Sequence, residues 1–242
     1  MSGLRRLARV DHDALRRNLA KLTDSPAAEV ADLRADAYGH GLLQIARTLD
    51  AAGLGGAVVS LDADRSRLAD AGIRMSLHTE SPLAGEPGQH MLGPALFGLL
   101  SEPAPAEASA TEPVLRLSGE VVAVKPVPAG RGVSYGYTYR TANPSRLALI
   151  GLGYADGVPR PASNRAPVLI GSFTGTVSGR IAMDQFVVDL GDEHASVGDE
   201  AVLFGSPLRG EPSVLDWAQA TRIPAESITA GLGQRIERIH LP

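Results

Sequence analysis

The chain has 242 residues, of which 44% are hydrophobic and 21% are charged, as in an ordinary globular protein. Its net charge of −4 has no basic cluster and only 4% of its residues are aromatic, so we predict no nucleic-acid or membrane-surface partner. The absence of cysteine excludes disulfides, thiolate catalysis and cysteine-based metal sites. No apolar run approaches the roughly 18 residues of a membrane span and no signal peptide is recognisable, so we expect a cytoplasmic location.

The first hundred residues alternate short apolar runs with helical patterns. Asp11 is placed to cap a first helix, on which Leu15, Leu19 and Leu22 share one face. Such alternation of strand and helix predicts parallel strands. The later elements predicted in this region are an extended run over 29–34, a helix from Leu42 to Gly53 after the turn at 39–41, a run over 57–61, a helix capped by Asp62 and stopped by Gly72, and a run over 74–78.

The pattern changes after residues 102–113, which read EPAPAEASATEP and predict a linker. Short β-rich runs punctuated by Gly and Pro then predict a mostly antiparallel β domain. We therefore divide the chain into an α/β domain over 1–101, the linker, and a β domain over 114–242. The runs of the β domain lie at 114–124, 147–152, 168–170, 185–190 and 201–204, with a helix near 214–220 and a last strand near 235–241.

Several motifs occur together in a fixed order, which is more specific than any one of them alone. They are LRADAYGHG at 33–41, VSYGYTY at 133–139, GYADG at 153–157 with Pro159-Arg160, GRIAMDQ at 179–185, and GDE at 198–200 with LFG at 203–205. In this combination the chain resembles the alanine racemase family. The resemblance implies a barrel domain that holds pyridoxal phosphate, a β domain after it, and two chains paired head to tail. Each active site then uses the barrel of one chain and the β domain of the other, with a lysine and a tyrosine moving the substrate's α-proton.

The first motif departs from the family at its central residue. Arg34 stands where the family has its Schiff-base lysine, and a guanidinium supplies no nucleophilic amine near neutral pH. We favour Arg34 as a strand residue paired with a carboxylate; the alternative is a fork that binds a phosphate or a carboxylate. By the same resemblance, Tyr38 matches a phosphate-contacting tyrosine, and Ser81 is a remnant of the phosphate loop.

Other positions of the barrel have changed as well. Met91 stands where the family has an arginine that contacts the pyridine nitrogen, and Gln234 stands where it has another phosphate-contacting tyrosine. A full (β/α)₈ barrel takes about 250 residues, and we place a large deletion between Ile73 and Leu77. The expected fold class is α/β plus β: a reduced, incomplete (β/α) barrel of four or five parallel strands, followed by an alanine-racemase-like C-terminal β domain. We expect neither a bound cofactor nor a metal.

The β domain keeps the family's residues. Tyr135 matches the proton-abstracting tyrosine, and Arg160 is expected either to orient Tyr135 or to pair with an acid. Tyr154, Met183 and Asp184 match residues that the β domain contributes to the neighbouring chain's site. Ordinary roles compete with these: a loop tyrosine, strand packing by methionine and turn capping by aspartate. As a set, the five residues resemble the half-site that works in trans.

Three functional classes follow. The first is a subunit without independent catalysis, which pairs as a homodimer or a heterodimer, in the latter case with a full-length alanine racemase whose site it completes. The second is a racemase-type isomerase that works without the lysine. The third is a binding protein for a phosphate- or carboxylate-bearing metabolite near Arg34 and Tyr38. The changed barrel positions disfavour the second class, and the retained β-domain set favours the first. We therefore predict that the chain is not an independent racemase.

Overall fold

The computed structural model describes residues 4–80, 91–99 and 111–242. The chain divides into two compact units. The β unit comprises Met1–Arg9 and Arg116–Ile239, and the α/β unit comprises Val10–Leu115 and His240–Pro242. The boundary at residue 116 lies two residues from the predicted start of the β domain. The sequence pattern did not indicate that residues 1–9 belong with the β unit.

The α/β unit contains a four-stranded sheet of order β4-β3-β2-β5 among the described residues, and every pairing in it is parallel. This confirms the expected reduced set of parallel strands. The order of elements follows from the alternation of strand and helix along the sequence. The elements are α1 (His12–Leu22), β2 (Val30–Asp32), α2 (Arg34–Gly39), α3 (Leu42–Ala51), β3 (Gly56–Val58), α4 (Asp62–Asp70), β4 (Ser76–His78) and β5 (Met91–Leu92).

Helix starts were predicted correctly in one case and displaced by one residue in another. Asp11 caps α1, because its side chain accepts a hydrogen bond of 2.8 Å from the Ala14 amide. The cap of α4 is Leu61 rather than Asp62, and no side chain there accepts a capping hydrogen bond. Asp62 instead occupies the first turn, where a carboxylate interacts favourably with the positive end of the helix dipole.

The predicted extended run over 29–34 is wrong beyond Asp32, because α2 is a single left-handed turn. Residues 35–38, none of them glycine, have φ between +51° and +57°. This conformation costs roughly 1–2 kcal/mol per L-residue, so neighbouring groups must hold it. The Leu42 amide donates to Asp36 Oδ1 over 2.8 Å, and the Ala35 amide donates to Ser60 Oγ over 2.9 Å. The turn determines where the side chains of Arg34 and Tyr38 lie.

The β unit is built on an eight-stranded sheet whose main path is β11-β10-β13-β6-β1-β14, with β9 joining β6 to β12. The β10–β11, β10–β13, β9–β12, β6–β13 and β6–β9 pairs are antiparallel, which confirms the predicted β domain. The elements are β1 (Arg6–Asp11), β6 (Leu115–Val127), β7 (Gly132–Val133), β8 (Tyr139–Arg140), β9 (Ser145–Ile150), β10 (Pro167–Ile170), β11 (Phe173–Thr176), β12 (Phe186–Asp189), β13 (Glu200–Phe204), α5 (Val214–Thr221), α6 (Ala225–Ala230) and β14 (Glu237–Leu241).

The core of the β unit is centred on Trp217, which is fully buried and meets Phe204 edge to face at 6.0 Å between ring centroids. Its indole donates to the Pro167 carbonyl over 3.0 Å, so the buried N–H is satisfied. Arg116 carries the charges beside this core, pairing with Glu200 at 2.9 Å and with Glu211 at 2.6 Å. Among the described helices, none is both long and apolar enough to cross a membrane.

Candidate functional site

The N-terminal motif places Arg34 against Asp32. Nε and Nη2 of Arg34 donate to the two oxygens of Asp32 over 2.9 and 2.6 Å, and the Arg34 amide donates to Oδ1 over 3.0 Å. The Asp32 side chain is 5% exposed and the Arg34 side chain 53% exposed. Arg34 is therefore paired with a carboxylate, as favoured above, but it begins α2 and does not lie in a strand. Its charge is balanced within the chain.

Tyr38 is drawn to the same carboxylate. Its hydroxyl donates to Asp32 Oδ2 over 2.8 Å. Burial raises the pKa of Asp32, but the hydrogen bonds from Arg34 and Tyr38 lower it by more. The pKa of Asp32 therefore lies below its ordinary value. Asp32 is therefore ionised at neutral pH. One buried carboxylate engages both residues of the motif that the resemblance assigned to cofactor binding.

The remaining positions assigned to the cofactor lie on other elements of the chain. Met91 is half-buried in β5, paired with Val30, and Gln234 is exposed in the β unit. Ser81 lies outside the residues that the structure describes. The chain has only two lysines, Lys21 and Lys125. Lys21 forms an ion pair of 2.9 Å with Glu112, and Lys125 is exposed on β6.

The β unit presents Tyr135 on a loop whose side chain is 63% exposed. The Arg180 guanidinium lies over its ring, with Cζ 5.1 Å from the centroid. Ser134 Oγ donates to the Arg180 carbonyl over 2.6 Å, which ties the loop to the GRIAMDQ segment. Gly136 has φ of +80°, and a Cβ there would lie 3.1 Å from the Arg180 guanidinium. The positive φ favours glycine here, and a Cβ would crowd the Arg180 guanidinium.

Tyr154 and Met183 are brought together by backbone hydrogen bonds. The Tyr154 amide donates to the Ala182 carbonyl and the Ala155 amide to the Met183 carbonyl, each over 3.0 Å. A Cβ on Gly153 would lie 2.2 Å from the Met183 carbonyl oxygen, so only glycine permits this contact. Met183 is 54% exposed and is not packed in a strand interior. The conventional packing role for Met183 is therefore wrong.

Arg160 does not have either of its expected roles. Its guanidinium lies over the Tyr154 ring at 5.5 Å, and among the described residues no carboxylate pairs with it. Arg180, which the sequence analysis did not single out, occupies the position over Tyr135. The reason is the loop geometry: the Ser134–Arg180 hydrogen bond brings the GRIAMDQ segment to Tyr135.

Asp184 is held by an ion pair rather than by a turn cap. Arg235 Nη1 donates to Asp184 Oδ1 over 2.7 Å, and Arg235 Nε donates to Asp156 Oδ1 over 2.9 Å. Asp156 is fully buried and also accepts from the Gly153 amide over 2.8 Å. Arg235 thus connects the GYADG and GRIAMDQ segments, and the structure brings these two motifs together.

Sequence reasoning missed Asp32, Arg180, Asp156 and Arg235. Asp32 stands two residues before Arg34 inside the predicted extended run, but the strand ends at Asp32, so strand periodicity does not account for their pairing. Asp156 and Arg180 lie inside motifs that were recognised. Their contacts, Asp156 with Arg235 and Arg180 with Tyr135, were not predictable because each joins segments that are far apart in the sequence. No group of three or more potential metal ligands occurs among the described residues.

A reduced parallel α/β unit followed by an antiparallel β domain with this tyrosine-bearing face defines an alanine-racemase-like protein. The family model for the C-terminal domain of alanine racemase matches residues 114–240, and that for the N-terminal domain matches residues 10–92. The chain belongs to the alanine racemase family.

Among its relatives, the alanine racemase of Streptomyces coelicolor is 47% identical over 152 residues, which are 62% of this chain and 39% of that protein. That of Salinispora arenicola is 49% identical over 147 residues, 60% of this chain and 39% of that protein. The crystal structure of alanine racemase from Streptomyces lavendulae matches with a TM-score of 0.86 and 26% identity, covering 100% of this chain and 98% of that one. The chain thus spans about two fifths of the sequence relatives it matches.

The family depends on pyridoxal phosphate, and the residues at the N-terminal motif do not fit a covalently held cofactor. The position of the Schiff-base lysine carries a guanidinium, and that guanidinium is hydrogen-bonded to Asp32. The Tyr38 hydroxyl is bonded to the same carboxylate.

Proposed function

We propose that this chain is an alanine-racemase-like subunit without independent racemase activity, and that its β unit completes the site of a partner in trans. In the family each active site combines the barrel of one chain with the β domain of the other. The proposed partner is a full-length alanine racemase, or a second copy in a homodimer. In this arrangement Tyr135 serves as the catalytic tyrosine, and Tyr154, Met183 and Asp184 shape the same half-site.

The observation that carries the proposal is the contrast between the two motifs. The Arg34 guanidinium and the Tyr38 hydroxyl are both bound to Asp32 inside the chain. Tyr135, Tyr154 and Met183 are 63%, 40% and 54% exposed, on segments joined by hydrogen bonds. The bonding of Arg34 and Tyr38 to Asp32 supports the loss of the cofactor site. The exposure of Tyr135, Tyr154 and Met183 supports a surface that binds a partner.

Two rival functions receive less support. A racemase-type isomerase needs an amine near the cofactor, and Lys21 and Lys125 are both on other elements. A phosphate- or carboxylate-binding role needs a cation whose charge is available. The bidentate pair with Asp32 balances the Arg34 charge, so Arg34 and Tyr38 attract such a ligand weakly.

Complementation in cells tests the proposal. The chain is co-expressed with the S. coelicolor racemase whose catalytic tyrosine has been changed to Phe, in a bacterium that lacks its own alanine racemase. We expect growth without added D-alanine, because the partner's lysine is then paired with Tyr135.

The matched control is Tyr135→Phe, which removes one hydroxyl and keeps the ring. Growth should stop with this variant while the two proteins still co-purify. Absence of co-purification, or equal growth with Tyr135→Phe, would contradict the trans role.

A further inference from the structure

Two histidines that are far apart in the sequence meet within the α/β unit. His12 begins α1 and His240 lies in β14, and both are grouped with this unit. Nε2 of His12 is 2.8 Å from Nδ1 of His240, and the ring centroids are 5.1 Å apart. Nδ1 of His12 is 2.5 Å from the Thr48 hydroxyl of α3, and His12 is only 7% exposed. The histidine pair, His12 with His240, therefore joins the end of β14 to α1 and α3.

Two further contacts hold the same segment. A Cβ on Gly41 would lie 3.1 Å from Cε1 and Nε2 of His240, so the His240 ring packs closely on the backbone that leads into α3. The Asp13 amide donates to the Pro242 carbonyl over 3.2 Å. Residues 240–242 are thus held by contacts with the start of α1 and with the start of α3.

The distance between the two facing nitrogens limits how many protons the histidine pair can hold. Each imidazole nitrogen carries either a proton or an acceptor lone pair, and a hydrogen bond needs one of each. In the neutral pair and in the singly protonated pair, one proton lies between His12 Nε2 and His240 Nδ1. When both rings are protonated, each facing nitrogen carries a hydrogen, and the two rings carry like charges. A separation of 2.8 Å between these nitrogens is therefore incompatible with double protonation.

The surroundings of His12 disfavour its charged form. Burial is the largest influence and lowers its pKa, and the charges of His240 and Arg16 lower it as well. Asp11 and Asp13 raise it, but the pKa of His12 stays below the ordinary value of 6.5. The neighbours from α3 and from the residue before it do not titrate; they are Thr48 and Gly41. Near neutral pH, His12 is therefore uncharged and its hydrogen bond with His240 can form.

We propose that the histidine pair is a pH-sensitive switch, which holds residues 240–242 on the α/β unit near neutral pH and releases them when both rings are protonated. The sign follows from the lowered pKa of His12, because the released segment takes up protons at a higher pH than the bound one. The segment is therefore held fully above pH 6.5, and the hold is lost as the pH falls below that value. This inference concerns the α/β unit alone and does not depend on the proposed function.

A mobility measurement at residue 241 tests the switch. The sequence contains no cysteine and Leu241 is 40% exposed, so Leu241→Cys allows a nitroxide label to be attached at this single position. Electron paramagnetic resonance then separates an immobile, bound label from a mobile, released one. We expect the ratio of mobile to immobile label to rise at least about tenfold between about pH 7.5 and about pH 5. The reason is that each pH unit changes the ratio of protonated to neutral histidine about tenfold.

The decisive variant is His240→Asn in the labelled chain. An amide at this position donates to His12 Nε2 or accepts from it, but it takes up no proton. The label should therefore stay immobile at about pH 5. The pKa of His12, followed by its NMR signals, should also rise, because the charge of His240 is gone.

The matched control is His194→Asn, which removes an exposed histidine of the β unit. This variant should release the label as the parent chain does. Far-UV circular dichroism at both pH values establishes that each chain remains folded. Label mobility that does not change with pH overturns the proposal. So does release that persists in His240→Asn, release that is lost in His194→Asn, or release that occurs only together with loss of the circular dichroism signal.

Discussion

The N-terminal motif at 33–41 and the tyrosines of the β unit with arginines over their rings (Tyr135, Tyr137 and Tyr154) differ in how their polar groups are paired. At the first, Asp32 is 5% exposed and accepts bonds from both Arg34 and Tyr38. At the second, aromatic rings lie in solvent and the arginines over them have no carboxylate within the described part of the chain. Polar groups that are already hydrogen-bonded within the chain gain little from a ligand. An exposed aromatic surface with unbalanced charge gains from binding a partner. Under the proposed function, the motif that holds the cofactor in the family has a structural role here, and the tyrosines of the β unit still serve a partner's site.

Both regions nevertheless keep strained backbone. Residues 35–38 hold the left-handed turn, and Ser134 and Tyr137 in the tyrosine loop have φ of +56° and +49°. Such strain persists only where surrounding contacts impose it, and it is concentrated at functional sites. In both regions, therefore, the contacts around the segment must hold the strained backbone in place.

The largest expected effect concerns covalent capture of pyridoxal phosphate. Incubation with the cofactor and reduction with borohydride should leave no pyridoxyl group at position 34, because a guanidinium forms no imine. Arg34→Lys should react weakly at neutral pH, since Asp32 beside the new amine raises its pKa. Asp32→Asn/Arg34→Lys should react much more. Peptide mass mapping reads the position of each adduct.

Because the chain has only Lys21 and Lys125, the background Lys21→Arg/Lys125→Arg removes every other side-chain amine. In that background, an adduct anywhere except the N-terminal amine of a chain that keeps Arg34 would contradict the prediction. Equal labelling of the single and double variants at position 34 would show that Asp32 does not control reactivity there.

The second effect is on stability. Arg34→Ala strands the buried Asp32 carboxylate and should lower the free energy of unfolding by about 1–3 kcal/mol at pH 7. The loss should shrink as the pH falls below 4, since Asp32 is then protonated in the variant. Urea unfolding measures both. Arg74→Ala is the control, because Arg74 is 83% exposed and its 3.5 Å pair with Asp50 should contribute less than about 1 kcal/mol. Equal losses in the two variants would mean that the buried Asp32 pair contributes no more to stability than the exposed Arg74 pair.

Much of this architecture could be predicted from the sequence, because strand and helix elements follow local periodicity. The four parallel strands, the Asp11 cap and the antiparallel β domain were all expected. Two features were not. The left-handed turn at 35–38 contains no glycine among its positive-φ residues, so no residue type signals it. The addition of β1 to the β unit's sheet depends on pairing between residues far apart in sequence, for which periodicity gives no signal.

The site shows the same division. Residues inside motifs were identified, and their partners were not. Arg160 was expected either to orient Tyr135 or to pair with an acid, yet it lies over the Tyr154 ring, and Arg180 lies over Tyr135. Ion pairs such as Arg235 with Asp156 and Asp184 join segments through tertiary contacts alone. Residue type therefore predicted which segments carry chemistry, and only the fold determined which groups meet.

The third effect is a pH dependence of stability in the β unit, at the ion-pair cluster around Glu200. Burial raises the pKa of Glu200, but hydrogen bonds from Arg116, Ser118 and Arg9 lower it to about 2. A depressed carboxylate pKa contributes stability above pH 4.5 that is lost as the pH falls toward 2. Glu200→Gln should lower the melting temperature at pH 7 by roughly 2–4 °C, and the difference should close over that window. A Glu193→Gln control should show no such difference; a constant offset for Glu200→Gln at every pH would refute the linkage.

The smallest effect relieves backbone strain at the N-terminal motif. Ala35 is exposed with φ of +51°, so Ala35→Gly should raise the free energy of unfolding by up to about 1 kcal/mol. The same substitution at Ala20, exposed in the right-handed helix α1, should lower it by about 0.5–1 kcal/mol. Chemical denaturation of both variants gives the two signs. Destabilisation in both would show that Ala35 is not strained in solution.

The central claim is that this chain supplies a catalytic half-site and no cofactor site. The most direct measurement is the racemisation rate of a mixed dimer, isolated through two different affinity tags. One chain is this protein, and the other is the S. coelicolor racemase with its catalytic tyrosine changed to Phe. We expect racemisation at no more than half the rate of the full-length wild-type dimer, because only one of the two sites pairs a lysine with Tyr135. We also expect loss of that activity with Tyr135→Phe. A mixed dimer that is inactive, or one whose activity survives Tyr135→Phe, would contradict it.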